Sequence, residues 1–472
     1  MRKAAPVSRP VALTVAGSDA GGGAGVQADL QTFAGHDVHG TSVVTAVTAQ
    51  HTRGVESTHV LPPGEVAAQI DAVADDFAVG AVKTGMLATV DVVETVHDHV
   101  RQVDAPLVVD PVMVATSGDR LLDRDAERAY DDLLADATVA TPNADEAAVL
   151  ADVDVESVSD ARDAALAIRD RGVDHVLVTG GHLEDDDAVT DVLATEDSVR
   201  TFTHDRIRDA ATHGSGCTLS AAIAATLARE AGNDDRRNDA TGRSVASDVV
   251  VDAVADATTV LERAVRYHHD VGQGPGAVQH LVDARTDAAL PAVARDVERV
   301  VAHVETATAP VDALIPEVGT NVVGAPAHAE TVAETVAVDG RLATTYAGVR
   351  ATGGVRPGAS SHVARFLLAA REHHPELRYA ANCRYDDAVA DALDALEWPV
   401  AAYDRADEPD DAPGTMDWGT DRAYRHADLR PVAVVDRGAH GKEPMTKLAT
   451  ETADELANRL DALATELANG DQ

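Results

Sequence analysis

The sequence predicts an α/β fold in which a mostly parallel sheet is covered by helices on both faces, followed by a second, smaller α/β domain. From residue 11 to about residue 228, short β-branched runs alternate with longer amphipathic segments, a pattern typical of such sheets. Nearly every glycine-rich or polar motif directly follows one of these runs. Because 472 residues are too many for one compact core, two to three domains are expected.

The predicted strands are short and β-branched, whereas the predicted helices are longer and amphipathic. The strands are residues 11–16, 42–48, 79–83, 107–110, 138–141 and 175–179. The helices are residues 24–34, 66–77, 90–103, 157–171, 244–269 and 452–468. A polar loop is predicted at residues 230–243. The glycine-rich turn 272–276 leads to the predicted division into domains 1–285 and 286–472.

The charge balance is strongly acidic, with 80 acidic and 39 basic residues and a formal net charge of −41. The acids are spread along the whole chain, and the lysines are only Lys3, Lys83, Lys442 and Lys447. This composition resembles proteins of salt-loving archaea, in which salt screens the mutual repulsion of surface charges. It argues against a nucleic-acid partner, which would require a basic surface.

The two cysteines, Cys217 and Cys383, fall in different predicted domains, so we expect no disulfide and a reducing cytosol. No apolar stretch reaches the roughly 18 residues that a membrane span needs. We therefore expect a cytoplasmic protein without a membrane partner, which functions as a homo-oligomer on small-molecule substrates.

The segment VALTVAGSDAGGGAGVQADLQTF predicts a strand, a glycine-rich loop and a helix. It contains neither the GxxxxGK[ST] nor the GxGxxG spacing, so it is not a Walker or Rossmann loop. We interpret it as a loop that allows close backbone approach to a flat ligand, with Asp19 and Asp29 nearby.

The segment ATHGSGCTLSAAIAATLA places Gly214, Ser215, Gly216 and Cys217 at the start of an apolar helix. Free backbone N–H groups and the helix dipole there favour an anion, such as a phosphoryl group in transfer. The same position lowers a thiol pKa, so Cys217 is a candidate general base. The alternative is a small buried cysteine that packs the start of the helix.

Seven ordered motifs resemble the hydroxymethylpyrimidine/phosphomethylpyrimidine kinases, which have the ribokinase-like fold. They are AGSDAGGGAGVQADLQTF, SVVTAVTAQHT, VKTGML, VDPVMVATSG, TPNADEAAVL, VLVTGGH and THGSGCTLSAA. The resemblance covers residue 11 to about residue 280. It implies two ATP- and Mg²⁺-dependent phosphorylations of one pyrimidine, first on its alcohol and then on the monophosphate. A pyridoxal-type kinase of the same fold is the alternative.

The resemblance also implies roles for individual residues. Gln50 would hydrogen-bond the aminopyrimidine, and three further residues would line the same pocket: Gly17, Asp29 and Met86. Asp110 would lie beside the phosphates, and Asn143 and Glu146 would help to hold Mg²⁺ with its ATP.

Two positions depart from the family pattern. Thr179 stands where many relatives have lysine in VLVKGGH, and Thr116 stands where VMVAKSG is common. A lysine that would neutralise phosphate charge is therefore missing, so the reaction is expected to depend more on the metal ion.

The second half contains GASSHVAR, which places Ser360, Ser361 and His362 at a helix start, again a geometry suited to anions and to an N-cap. Lys442, in the loop RGAHGKEPMTK after a predicted strand, suggests a phosphate or pyrophosphate contact. From about residue 311 to residue 450 this half resembles the archaeal-type thiamine-phosphate synthase domain. The matching segments also include IPEVGTNVVGA, NCRYDD and TMDWG.

That resemblance implies the joining of the pyrimidine diphosphate to thiazole phosphate with release of pyrophosphate, a dissociative displacement that needs cationic groups. Arg341 and His362 are the implied catalytic residues. The implied phosphate-binding residues are Ser360, Ser361, Arg365 and Lys442, and weaker candidates for ring recognition are Asn382 and Asp417. A non-catalytic thiamine-phosphate sensor is the alternative, although no basic helix-turn-helix precedes this domain.

Overall fold

The structure is a computed structural model that describes residues 7–113, 129–183, 187–208, 210–231, 245–409, 412, 414–439 and 441–470. The chain divides into two compact units, Met1–Ala284 and Arg285–Gln472. Thr116 and nearly all of the predicted loop 230–243 lie outside the described residues. No helix among the described residues is long and apolar enough to cross a bilayer.

The described part of the first unit contains a nine-stranded sheet. Its strands are β1 (Val11–Asp19), β2 (His39–His51), β3 (Gly54–Val60), β4 (Ala81–Thr84), β5 (Leu107–Val109), β6 (Val139–Ala140), β7 (His175–Val178), β8 (Ala188–Ala194) and β9 (Val199–Asp205). Their order is β3-β2-β1-β4-β5-β6-β7-β8-β9, and the six neighbouring strands β2-β1-β4-β5-β6-β7 are parallel. Strand β3 at one edge and strands β8 and β9 at the other end of the sheet, which the sequence did not predict, pair antiparallel.

Helices cover both faces of this sheet, as predicted. They are α1 (Gly25–Gly35), α2 (Pro63–Ala74), α3 (Val90–Val100), α4 (Tyr130–Ala135), α5 (Ala144–Ala151), α6 (Val158–Arg169), α7 (Ser215–Glu230) and α8 (Ser247–Arg266). Alternating strand residues point to opposite faces. Leu13 and Val15 therefore pack in the cluster with α2 to α6, whereas Ala12 packs in the cluster with α1, α7 and α8.

The second unit is built on a seven-stranded sheet with the order β14-β11-β10-β15-β18-β17-β16. Its strands are β10 (Val322–Gly324), β11 (Val336–Val338), β14 (Val355–Pro357), β15 (Tyr379–Arg384), β16 (Val400–Tyr403), β17 (Ala433–Asp436) and β18 (Met445–Thr450), and a separate hairpin consists of β12 (Leu342–Thr345) and β13 (Gly348–Ala351). The strands pair antiparallel except for the parallel pair β16–β17.

Helices also pack on both faces of the second sheet. They are α9 (Val282–Thr306), α10 (His362–His373), α11 (Asp387–Ala395), α12 (Thr415–Arg425) and α13 (Ala453–Gly470), of which α9 begins just before the division between the units. Leu448 packs in the cluster with α9, α11 and α13, whereas Ala449 packs in the cluster with α10 and α12. By the same alternation Asn382, Asp436 and Lys447 belong to the face that carries α10 and α12.

Candidate active sites

A cavity of about 670 Å³ opens at the carboxyl ends of the central strands of the first unit. It is lined by residues that directly follow β1, β4, β5, β6 and β7, because the ends of parallel strands meet at one edge of a sheet. The structure brings the following candidate residues together there: Gly17, Gln50, Met86, Asp110, Asn143, Glu146, Thr179, Gly214, Ser215, Gly216 and Cys217.

Asp29 does not line this cavity, so the expectation that it contributes to the substrate pocket is wrong. Helix α1 packs on the sheet and buries Asp29 completely, where it pairs with the ammonium of Lys83 at 2.9 and 3.0 Å. Thr14 donates a further hydrogen bond to it at 2.6 Å. Burial opposes the charge of Lys83, but Asp29, Cys217 and Asp110 together raise the lysine pKa. Lys83 reaches the cavity wall as a cation held by Asp29.

Asp19, rather than Asp29, shapes the glycine-rich loop. Its carboxylate accepts hydrogen bonds from the backbone N–H groups of Gly21, Gly23 and Ala24 at 2.7 to 2.9 Å. The imidazole of His213 lies 3.1 Å from the same carboxylate and so connects this loop to the loop before α7. The spacing SDAGGGAG could have indicated this role, since an aspartate often accepts from the turn that follows it.

The loop before α7 comes very close to the glycine-rich loop. Gly214 has φ +87° at the N-cap of α7, and a Cβ atom there would lie only 1.8 Å from the carbonyl oxygen of Gly23. Only glycine fits both the backbone angle and the space. The helix then begins at Ser215, so its first turn faces the cavity, which favours a bound anion.

Cys217 lies in this first turn, but its ionisation differs from the prediction. Burial raises the pKa of the thiol to about 12, although the cation of Lys83 opposes this effect. Asp29 and Asp110 raise it further. The expected lowering of the thiol pKa is therefore wrong, since the desolvation of Cys217 outweighs the helix terminus. At neutral pH the thiol keeps its proton.

Two buried carboxyl groups, Asp110 and Glu146, face the cavity. Burial raises the pKa of Asp110 to about 6, and Lys83 opposes this shift. Ser220 donates to Asp110 at 3.2 Å. Burial raises the pKa of Glu146 to about 8, and the charge of Asp110 adds to this. Both carboxyl groups would release protons more readily beside a cation.

Asn143 and Glu146 also form the capping box of α5. The Asn143 side chain accepts from the backbone N–H of Glu146 at 2.9 Å, and Glu146 accepts from that of Asn143 at 3.0 Å. Glu146 accepts as well from the N–H of Met113 at 3.2 Å. These contacts fix the direction in which the carboxylate faces the cavity.

The carboxylates of Asp110 and Glu146 fit a Mg²⁺ ion that substrate phosphates also bind better than they fit a metal site formed by protein side chains alone. The described residues contain no group of three or more His, Cys, Asp or Glu side chains that could hold a metal. Mg²⁺ in nucleotide sites is commonly held by one or two carboxylates together with substrate phosphates and water. Asp110 and Glu146 match that requirement.

A cation near Thr179 that was not predicted from the sequence, Arg206, also lines the cavity. Arg206 follows β9 and donates to the carbonyl oxygens of Gly181 and Leu183, both at 3.0 Å. Asp191 accepts from the N–H of Gly180 at 2.8 Å and steadies the same turn. Arg206 belongs to none of the recognised motifs, so it could not be found from them.

In the second unit, Arg341 and His362 lie on different elements. Arg341 precedes β12, and its guanidinium donates to the Gly340 carbonyl oxygen at 2.7 Å. His362 begins α10, and its Nδ1 lies 3.3 Å from the Ser361 hydroxyl. Ser361 stands at the N-cap position without a capping hydrogen bond from its side chain, so the cap expected there is not formed.

His362 is surrounded by positive charge. Burial lowers the pKa of its imidazole, and the cations of Arg341, Arg365, Arg405 and Lys447 lower it further. The lowered pKa favours the neutral form of the imidazole, whereas the sequence indicated His362 as a potential cation. In a chain with twice as many acids as bases, this concentration of cations is a distinctive feature.

Arg405 and Lys447 were not predicted, and both contact a buried carboxylate. Asp436 accepts from Arg405 Nε at 2.8 Å and Nη2 at 2.6 Å, from the Tyr403 hydroxyl at 2.8 Å and from Lys447 Nζ at 3.1 Å. Burial opposes the charge of Asp436, but Arg405, Lys447 and Tyr403 hold its pKa well below the usual range. We call Tyr403, Arg405, Asp436 and Lys447 the Asp436 cluster.

The remaining candidates of the second unit occupy other positions. Lys442 is exposed in the loop before β18. The lysine whose charge lowers the pKa of His362 is Lys447. Asn382 is buried. Its side chain accepts from the N–H of Asn321 at 2.7 Å and donates to the carbonyl oxygen of Gly319 at 3.1 Å, so it fixes the backbone at these two residues. Asp417 lies in the first turn of α12 and Ser360 is buried before α10.

The structure is similar to the ADP complex of Bacillus subtilis pyridoxal kinase, with a TM-score of 0.51 and 32% identity over 58% of this chain and 98% of that chain. The first unit accordingly has the ribokinase-like fold. Residues 19–279 match the model of the phosphomethylpyrimidine kinase family. The chain belongs to that family.

Two curated relatives agree with this assignment. The hydroxymethylpyrimidine/phosphomethylpyrimidine kinase of Streptomyces coelicolor is 48% identical over 225 residues, which are 48% of this chain and 83% of that protein. The enzyme of the same name from Synechococcus elongatus is 42% identical over 272 residues, 57% of this chain and 97% of that protein. Residues 296–462 match the model of thiamine-phosphate synthase ThiN, so the kinase part is followed by a domain of that type.

Proposed function

We propose that this chain is a bifunctional enzyme of thiamine biosynthesis. Its first domain, residues 1–285, would phosphorylate 4-amino-5-hydroxymethyl-2-methylpyrimidine to the monophosphate and then the diphosphate. Its second domain, residues 286–472, would join that diphosphate to thiazole phosphate and release pyrophosphate. The family matches at 19–279 and 296–462 support this order of domains.

The observation that carries the kinase proposal is that one cavity is lined by most of the residues predicted for the first domain, although not by Asp29. Gln50 and Met86 line it beside β1 and β4, where the pyrimidine would bind, and the start of α7 lines it where a phosphoryl group would pass. Asp110 and Glu146 would hold the Mg²⁺ that accompanies ATP, and that ion would supply charge to neutralise the phosphates. Among the described residues that line the cavity, Arg206 is the one arginine. It would neutralise phosphate charge in place of the lysine that is missing at Thr179.

Phosphoryl transfer depends mainly on positioning and on charge stabilisation, because its transition state is loose. The start of α7 would hold the transferred group through backbone N–H groups. Cys217 would take the proton of the substrate hydroxyl only as its thiolate, and because burial raises the pKa of the thiol to about 12, this step would depend strongly on pH.

The observation that carries the synthase proposal is the set of cations around His362. Breaking the bond to a diphosphate builds negative charge on the leaving oxygen, which fixed cations stabilise. Arg341 and Arg365 would contact the departing pyrophosphate from two elements. A neutral His362 would donate a hydrogen bond to it.

A coupled assay tests both halves. The full chain is supplied with hydroxymethylpyrimidine, thiazole phosphate, ATP and Mg²⁺, and thiamine phosphate is measured. We expect product from this mixture and, in a second arm, pyrophosphate release when the pyrimidine diphosphate replaces the first substrate and ATP. Phosphorylation of pyridoxal in preference to the pyrimidine would refute the kinase proposal. The absence of pyrophosphate release would refute the synthase proposal and support a sensor domain.

A further inference from the structure

The Asp436 cluster lies at one end of the second sheet, on the face covered by α10. Asp436 ends β17, Tyr403 ends β16, and Lys447 is on β18. Strand alternation places Asp436 and Lys447 on the same face as Ala449, which packs with α10 and α12. The side chains of Asp436 and Lys447 are 1% and 4% exposed, and that of Arg405 is 14% exposed.

The cluster carries more positive than negative charge. Arg405 and Lys447 share the carboxylate of Asp436, so these three groups together have an excess of one positive charge when Lys447 is protonated. The carboxylate of Glu408 also acts on Arg405 from outside the cluster. Burial lowers the pKa of Lys447 to about 8, against the opposing effect of Asp436. An ammonium has three donors, and among the described residues Lys447 Nζ donates to the Tyr403 hydroxyl at 2.8 Å and to Asp436.

This excess charge lies beside the first turns of α10. The ammonium of Lys447 is 5.8 Å from the centre of the Phe366 ring, and Phe366 is one helical turn after His362. Both Arg405 and Lys447 act on the imidazole of His362. The buried cations therefore adjoin the proposed pyrophosphate site rather than a separate part of the unit.

A purely structural role explains this arrangement poorly. A buried ion pair generally contributes little net stability, and apolar residues of similar volume often serve as well or better. Asp436 would need only one cation for neutrality, yet it holds two. The second cation is a lysine in a chain that contains four.

We propose that Lys447 and Arg405 form a buried anion subsite that contacts a phosphate group of the substrate, and that Asp436 positions both side chains. The proposal rests on the proposed synthase function for the identity of the substrate. Lys447 would supply its third donor to the phosphate oxygen, and Arg405 would add charge. Asp436 would act only through these two residues.

The test uses the full chain with Lys447→Met, Lys447→Arg and, as a control at an exposed cation outside the proposed site, Arg425→Met. Calorimetry measures the binding of inorganic pyrophosphate and of inorganic phosphate. We expect Lys447→Met to weaken pyrophosphate binding by at least about tenfold, since a lost hydrogen bond to a charged group has this effect. Lys447→Arg should restore binding to within about threefold, and Arg425→Met should leave pyrophosphate binding unchanged. Kinase activity and circular dichroism confirm folding in each case.

Steady-state kinetics then identifies the phosphate that is bound. A rise in KM for the pyrimidine diphosphate alone assigns the subsite to the diphosphate, and a rise for thiazole phosphate alone assigns it to the second substrate. If Lys447→Met does not fold, Arg405→Gln, at the less buried position, replaces it. A folded variant that binds pyrophosphate within about twofold of the parent overturns the subsite. A parent chain that binds pyrophosphate through Lys447 but forms no thiamine phosphate overturns only the synthase function.

Discussion

Removal of the Asp29 carboxylate should destabilise the first unit strongly, because it would leave the Lys83 ammonium buried without its counter-charge. Both side chains are fully buried, and they are joined by hydrogen bonds of 2.9 and 3.0 Å. Breaking such a pair from one side costs about 3–5 kcal/mol. At roughly 2–4 °C per kcal/mol for a unit of this size, Asp29→Ala should lower Tm by about 6–20 °C.

The chain offers its own internal control for this measurement. Trp398 and Trp418 both belong to the second unit, so tryptophan fluorescence follows the unfolding of that unit, whereas circular dichroism follows both units. We expect the fluorescence transition of Asp29→Ala to match that of the parent. The exposed Asp37, which pairs with Arg9, is the matched control, and Asp37→Ala should change stability by at most about 1 kcal/mol.

A double variant isolates the uncompensated charge. Asp29→Ala combined with Lys83→Met leaves no buried ammonium and should lose clearly less stability than the sum of the single variants. If Asp29→Ala shifts the circular dichroism transition by no more than Asp37→Ala does, the buried pair does not stabilise the unit. If Asp29→Ala raises KM for the pyrimidine at unchanged Tm, Asp29 contributes to the substrate pocket.

Four further predictions concern the two sites and the charge of the chain. Cys217→Ala should reduce kinase turnover by about 10²-fold. In the parent, kcat/KM should rise with pH towards the thiol pKa of about 12, whereas a plateau above about 6 would make Asp110 the base. The Glu146 pKa is raised from 4.5 to about 8, so its stabilising contribution is present below about 4.5 and is lost as pH rises through 8. When Tm is measured over this pH range, Glu146→Gln should remove the decline in stability with rising pH, and an unchanged slope of Tm against pH would contradict the prediction. Arg341→Ala and His362→Ala should each lower synthase kcat by roughly 10²–10³-fold with normal kinase activity; a kcat within about threefold of the parent would exclude the role. With a net charge of −41, folding and activity should need salt near 1 M, where the Debye length is about 3 Å, and full activity in dilute buffer would disprove this.

The parts of the molecule that follow local rules could be predicted from the sequence. Alternating β-branched and amphipathic segments predicted the parallel core of the first sheet, and the strand residues 11–16 lie inside β1. The helix start at GSGC was also placed correctly, since α7 begins at Ser215. The edge strands β3 and β9 were missed, because their many polar residues weaken the apolar pattern of a strand.

The parts that depend on burial could not be predicted in the same way. The helix terminus alone favours a low thiol pKa, but Cys217 is desolvated near Asp29 and Asp110, which lie far away in the sequence. Whether Asp19 or Asp29 reaches the cavity depends on how α1 packs. Lys447 could have been found, because a lysine within the apolar strand MTKLAT is unusual in a chain so poor in lysine.

The hydrogen bond between Asp19 and His213 joins residues that are 194 positions apart. The glycine-rich loop leaves the ribosome well before the loop that closes against it, which follows all nine described strands of the first sheet. Contacts so distant in the chain form late and slow folding. A nascent or truncated chain that ends before residue 213 would therefore have most of the sheet but no closed cavity, so kinase competence should emerge only when α7 has been synthesised and has packed.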